Sequence, residues 1–176
     1  MNNKFKNFQE MRMQIFGELV KRYWHDQLHD VNDLNDLAEE LKEKFHFDEA
    51  DLPFIKDHIR VAMGLNPQNG KEFVSELRMV KDLKTVSRPV VAKIDGVCQY
   101  CNQEECICLE ACKYESQFYH RNKGPVIINN KCLSCGQCVT SCDFGALADK
   151  IEFIPVINLL KDKTRPVLVT VAPAIA

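Results

Sequence analysis

Apolar residues recur at steps of three and four from Phe5 through Phe8, Met11, Ile15, Leu19 and Tyr23, which predicts an amphipathic helix. Asp30-Val31-Asn32-Asp33 interrupts it, and a second helix is expected from a cap at Asn32 or Asp33, burying Leu34, Leu37, Leu41 and Phe45. Asp51 reads as the next cap, with Pro53 in the first turn, where a missing N–H costs little. That third helix carries Ile55, Ile59, Ala62 and Met63 and ends near Gly64. Asn66–Gly70 reads as a loop, and a fourth helix is expected over Lys71–Lys84 with Phe73, Leu77, Val80 and Leu83 on one side.

The period changes at Arg88-Pro89. Pro89–Ile94 is short, β-branched and closed by Asp95-Gly96, a strand and a turn. Beyond it the chain reads as two similar halves of about 35 residues, each a strand, a cysteine loop and a short helix. The helices are expected at Cys112–Tyr119 and Ser141–Ala148, with further strands at Pro125–Asn129 and Ile151–Ile154. Val156–Asp162 predicts a helical turn or two. Pro166–Ala172 predicts an apolar strand of the kind buried on both faces. With so little chain left to cover that strand, a larger domain is expected to begin there.

Composition changes the picture at one point. The chain is 45% apolar and 27% charged with a net charge of −2, which excludes a strongly basic nucleic-acid binder and a low-complexity tail. No apolar run approaches a membrane span and no secretory signal opens the chain, so a cytoplasmic protein is expected. The nine cysteines, however, all lie between Cys98 and Cys142. Clustering at short spacing, with an odd count, points to thiolate ligation of a soft metal rather than to disulfides.

Cys132, Cys135, Cys138 and Cys142 form C-x2-C-x2-C-x3-C, the bacterial-type spacing for a [4Fe–4S] cluster in which the fourth cysteine serves the partner cluster. Two-residue gaps curl the backbone around one cubane, and Gly136 permits the close approach or positive φ such a loop needs. A tetrahedral zinc site fits this spacing poorly. The first loop holds Cys98, Cys101, Cys106, Cys108 and Cys112. The x3 gap from Cys108 to Cys112 repeats that from Cys138 to Cys142, which makes Cys108 the third ligand and Cys106 spare; a rival reading uses Cys106. Two [4Fe–4S] clusters are expected, one on Cys98, Cys101, Cys108 and Cys142, the other on Cys132, Cys135, Cys138 and Cys112.

With these motifs in place, residues 89–155 resemble a dicluster bacterial-type ferredoxin domain. The resemblance implies two βαβ halves related by a pseudo-twofold axis, with both clusters between sheet and helices. Lys113 and Asp143 stand where that family usually has proline, and the first loop is longer. A wider resemblance covers the whole chain. Arg60–Gly64 (RVAMG), the dicluster region, Pro155–Asp162 (PVINLLKD) and Arg165–Ala176 (RPVLVTVAPAIA) resemble the N-terminal part of an iron-only ([FeFe]) hydrogenase. It implies that catalysis belongs to a C-terminal domain missing from this chain.

The expected class is α+β: a small helical domain over 1–87, a ferredoxin-like (βαβ)2 domain over 88–155, and over 156–176 a linker and the first strand of a truncated catalytic domain. The expected function is single-electron relay to or from that domain, with a ferredoxin-like protein or partner subunit as donor or acceptor. No nucleic acid or membrane span is expected. A free-standing electron carrier and an iron–sulfur redox sensor using Cys106 are the alternatives, with a zinc-stabilised interaction module behind them. Outside the loops, His25 and His29 read as a solvated face before a metal pair, and His120 as a bystander because eight cysteines suffice. Trp24 and the Phe residues read as core, Glu104-Glu105 as a solvated loop tip, and Lys131 as a charge beside Cys132 able to raise one cluster's potential.

Overall fold

The computed structural model describes residues 4–5, 8–98, 101, 106–121, 123–164, 166–168 and 170. Four helices come first: α1 (Phe8–Trp24), α2 (Val31–Lys44), α3 (Leu52–Ala62, entered through a 3-10 turn at Glu49–Asp51) and α4 (Glu76–Lys81). Then follow β1 (Val91–Lys93), α5 (Ile107–Glu110), β2 (Gln117–His120), β3 (Gly124–Ile127), α6 (Gln137–Thr140), β4 (Leu147–Asp149) and α7 (Phe153–Lys161). The class is α+β.

The amphipathic pattern sets the helices. Phe8, Ile15 and Leu19 bury one stripe of α1, and Leu34, Leu37, Ala38 and Leu41 that of α2. The α2 cap is Asp30 rather than Asn32 or Asp33. Its carboxylate accepts from the Asn32 N–H at 2.7 Å, while Asp33 accepts from the Asp30 N–H at 3.2 Å, a reciprocal box that satisfies otherwise orphaned donors. Asp51 stands at the N-cap position of α3 and Pro53 in its first turn, as expected, but the Asp51 carboxylate accepts from the Asp48 N–H at 2.8 Å rather than from α3. α4 is one and a half turns, shorter than the periodicity of 71–84 suggested, because Lys71–Phe73 instead lies as loop over Arg60. Trp24 is 43% exposed, not core.

Arg60 is 1% exposed yet fully engaged. Its Nε donates to Glu76 at 2.9 Å, and its terminal nitrogens donate to Asp57 at 3.0 Å and to the Lys71 carbonyl at 2.6 Å. Asp57 in turn accepts the backbone N–H groups of Gln68 and Gly70, so a buried ion network fixes the 66–76 loop against α3.

Strands pair as two antiparallel ribbons. β1 pairs with β4 (Ala92 opposite Ala148) and β2 with β3 (Phe118 opposite Val126). The helices of the cysteine region are single turns, and three boundaries differ from expectation. Residues 117–120 are strand rather than helix, since the side chains of Gln117–His120 alternate in burial and pair with β3. Residues 147–149 are likewise β4, and the helix there is only α6. Residues 151–154 do not form a strand; Phe153 opens α7, where Pro155 falls in the first turn without breaking a hydrogen bond. Of the expected tail strand, Pro166–Leu168 and Thr170 show no regular structure, and Val169, Val171 and Ala172 lie outside the described residues.

One apolar core runs from Phe8, Ile15, Leu34 and Ile59 in the helices to Val91, Ile94, Val139 and Leu147 in the cysteine region. At that junction Gly64 has φ +86°, and a Cβ there would lie 2.7 Å from Val86 and 3.2 Å from the Ile151 carbonyl. Among the described residues, no helix is long and apolar enough to cross a membrane.

Candidate metal centre

The ribbon β1–β4, the short helices α5 and α6 and the loops between them bring the cysteines into two groups. Cys98, Cys101, Cys106, Cys108 and Cys142 line one cavity, walled by Tyr119, Pro125, Phe144 and Ala146. Cys142, at the end of the second loop, therefore sits with the cysteines of the first. Cys106 caps the N-terminus of α5 and Cys108 lies within it, their sulfurs 3.4 Å apart. Both alternatives for the third thiol thus face the same space. Cys138, in the second loop, lies within electrostatic reach of the thiols of Cys132, Cys112 and Cys135. Of these, Cys112 comes from the first loop.

Local backbone explains the approach. Gly136 caps α6 at φ +78° with open space where a Cβ would stand, and Ser134 also has positive φ, so the chain curls between Cys132 and Cys138. Gly124, φ +69°, lets Cys98 approach β3: a Cβ there would be 2.9 Å from the Cys98 sulfur.

Burial dominates the thiols' electrostatics. It pushes Cys98 up to about 11, with Lys93 opposing, and raises Cys101, Cys108 and Cys138, neighbouring thiols adding to the effect. Burial also opposes the Cys112 thiolate, but the Ser116 hydroxyl, 3.1 Å away, and the backbone N–H groups of Ser116 and Tyr114 hold that thiol below its ordinary value. Thiols held this high ionise readily only when a cation takes the charge. The donor set fits an iron–sulfur group: thiols in apolar walls, with no histidine or carboxylate lining the cavity among the described residues. Yet no three such side chains among the described residues converge on a point that would hold one ion. The thiols border a shared space instead.

The helical region grips the segment that carries Cys142. The Phe8 N–H donates to the Asp143 carbonyl at 2.8 Å. Gln9 Nε2 donates to the Val139 and Cys142 carbonyls at 2.6 and 3.0 Å. Arg12 pairs with Asp149 and lies within electrostatic reach of Cys142. His58 Nε2 donates to the Gly145 carbonyl at 2.9 Å. Burial holds His58 down at about 3, so it is a neutral imidazole. None of these contacts was legible in local spacing, since each joins residues more than 80 positions apart. His25, His29 and Lys131 are exposed, and His120 lies on an exposed position of β2; Glu104 and Glu105 lie outside the described residues.

Comparison with known proteins bears on the second half. Residues 125–148, from β3 through the four-cysteine loop to β4, match the family model of the 4Fe-4S binding domain. The match indicates 4Fe–4S cluster binding by this segment. An uncharacterized ferredoxin of Methanocaldococcus jannaschii is similar at 30% identity over 102 residues, which is 57% of this chain and 66% of that protein. The chain thus spans just under two thirds of its relative's length. No solved structure matches it. Together these support an iron–sulfur, ferredoxin-like protein.

Proposed function

We propose that the cysteine region holds two [4Fe–4S] clusters and serves as an electron-transfer module. The observation that carries this reading is that Cys142, from the second loop, lines one cavity with the first-loop cysteines; the influence of Cys112 on Cys138 supports the reciprocal exchange. One set is Cys98, Cys101, Cys108 and Cys142; the other is Cys132, Cys135, Cys138 and Cys112. Each such cluster, when bound, supplies one-electron chemistry at a low potential set by burial, charge and hydrogen bonds to sulfur. The chain's own contributions are ligation, exclusion of water by Tyr119, Pro125 and Phe144, and the Ser116 hydrogen bond to Cys112. The order β1-α5-β2 then β3-α6-β4 supports the (βαβ)2 reading of residues 88–155, with 1–87 as a helical domain braced against it. A single zinc ion is disfavoured because the spacing of Cys132, Cys135, Cys138 and Cys142 suits a cubane better than a tetrahedral site.

The destination of the electron is the finer part. The resemblance of Arg60–Gly64 and Pro155–Ala176 to the N-terminal part of an iron-only hydrogenase favours delivery to or from a following catalytic domain, in a cytoplasmic enzyme. The ferredoxin relative favours a free-standing carrier. Anaerobic reconstitution tests the first level. About eight irons and eight acid-labile sulfides per chain, with an EPR signal of two interacting reduced clusters, are expected. Four of each, or stoichiometric zinc without sulfide, overturns the two-cluster reading. Reading the gene beyond Ala176 tests the second: hydrogenase cysteine motifs downstream are expected, and a stop codon there leaves the carrier.

A further inference from the structure

Between β1, β3 and the Asn66–Ser87 side of the bundle opens a cleft of about 450 Å3, within the range of about 300–1,000 Å3 typical of small-molecule sites. Lys150, immediately after β4, lines it and is only 6% exposed. Its ammonium donates to Asn66 Oδ1 at 2.9 Å and to Ser87 Oγ at 2.7 Å, both neutral. An ammonium has three N–H donors, so one is left over, and no carboxylate among the described residues forms an ion pair with it. Burial accordingly lowers its pKa with no neighbouring charge opposing.

A buried cation without a counter-charge is costly, and proteins normally pair it. The rest of the cleft does not supply the missing anion. Arg88 and Lys123 line it without ion-pair partners among the described residues, and the single acid of the lining, Asp95, is taken by Lys93. The floor is apolar, formed by Val91 and Ala92 of β1 and Pro125 and Val126 of β3. A chain of net charge −2 thus gathers three cations, Arg88, Lys123 and Lys150, without ion-pair partners among the described residues around one concave space.

We propose that this cleft binds a small-molecule oxyanion, phosphoryl or carboxylate, seated on Lys150 and clamped at the mouth by Arg88 and Lys123. The depth of Lys150 selects a small ligand over a flat acidic protein surface. Because Lys93, on the same cleft, also lies beside Cys98, the bound anion would sit on the flank of the first cysteine group. That placement, though not the binding itself, rests on the reading above.

The test is isothermal titration of the anaerobically reconstituted full chain with inorganic pyrophosphate and, separately, with citrate, in chloride-poor buffer. Saturable one-to-one binding of at least one probe is expected, with the preferred one naming phosphoryl or carboxylate chemistry. Lys150→Gln is expected to weaken it about ten-fold or more, the usual effect of losing a charged hydrogen bond. Lys44→Gln, a remote exposed control, is expected to leave it unchanged. Visible absorbance and far-ultraviolet circular dichroism report folding of each variant. Should Lys150→Gln not fold, Arg88→Gln/Lys123→Gln, changed only at exposed positions, decides. The proposal is overturned if neither probe saturates, or if the deciding variant binds as tightly as the parent.

Discussion

Gly145 packs against Phe8 where the helical region meets the cysteine region, and its replacement by alanine gives a graded test of that junction. Its φ is +73°, and an added Cβ would lie 2.4 Å from Phe8 Cδ1 and 2.9 Å from Phe8 Cγ. Phe8 is fully buried, with its ring 4.8 Å from Phe54 and 4.4 Å from His58, so it has little room to yield. Two costs add. Left-handed backbone costs a non-glycine residue about 1–2 kcal/mol, and overpacking a filled core costs about 1–3 kcal/mol. Gly145→Ala is therefore expected to lower unfolding free energy by about 2–5 kcal/mol. Gly136 isolates the first cost: its φ is +78° with nothing within 4 Å of the added atom, so Gly136→Ala should cost about 1–2 kcal/mol. Urea unfolding of the reconstituted protein, followed by far-ultraviolet circular dichroism, measures both. Phe8→Ala completes a double-mutant cycle, and in that background the cost of Gly145→Ala should fall to that of Gly136→Ala. The reasoning is refuted if Gly145→Ala costs no more than Gly136→Ala, or if removing the Phe8 ring leaves its cost unchanged.

Arg60→Ala leaves Asp57 and Glu76 buried without their cation and should destabilise the fold by about 3–5 kcal/mol, read by the same urea titration. His58 titrates near 6.5 when unfolded and about 3 when folded, so between those values the unfolded chain binds the extra proton and stability falls as pH falls. From pH 7.5 to 5.5 this group alone should remove about 1.4 kcal/mol, a slope that His58→Gln should lack when unfolding is compared across that range. Cys108→Ser should lower reconstituted iron by about one cluster's worth while Cys106→Ser retains both; the reverse pattern in iron and sulfide assays makes Cys106 the ligand.

Much of the helical architecture was legible because Phe8, Ile15, Leu19, Leu34, Leu37 and Leu41 repeat at helical spacing and Asp51-Pro53 marks a start. The cysteine region was legible as chemistry more than as structure. The x2, x2, x3 gaps identify a 4Fe–4S segment, yet the elements between the cysteines are too short for a period to establish itself. Four residues at Gln117–His120 cannot distinguish strand from helix until Val126 and Ile127 pair across from them. Pro155 was the readable signal that Phe153–Lys161 starts as helix. The contacts of Gln9, Arg12 and His58 with the Val139–Asp149 segment had no local signature at all. They belong to tertiary packing, as does the isolation of Lys150 from any carboxylate among the described residues.

The grip of Phe8, Gln9 and His58 on the Val139–Gly145 stretch also bears on how such a protein matures. The last thiol of the downstream motif is carried on a segment tied to α1 and α3, which leave the ribosome first. The side chains and backbone that hold this segment are therefore already synthesised, more than 80 positions upstream, when the cysteine loops emerge.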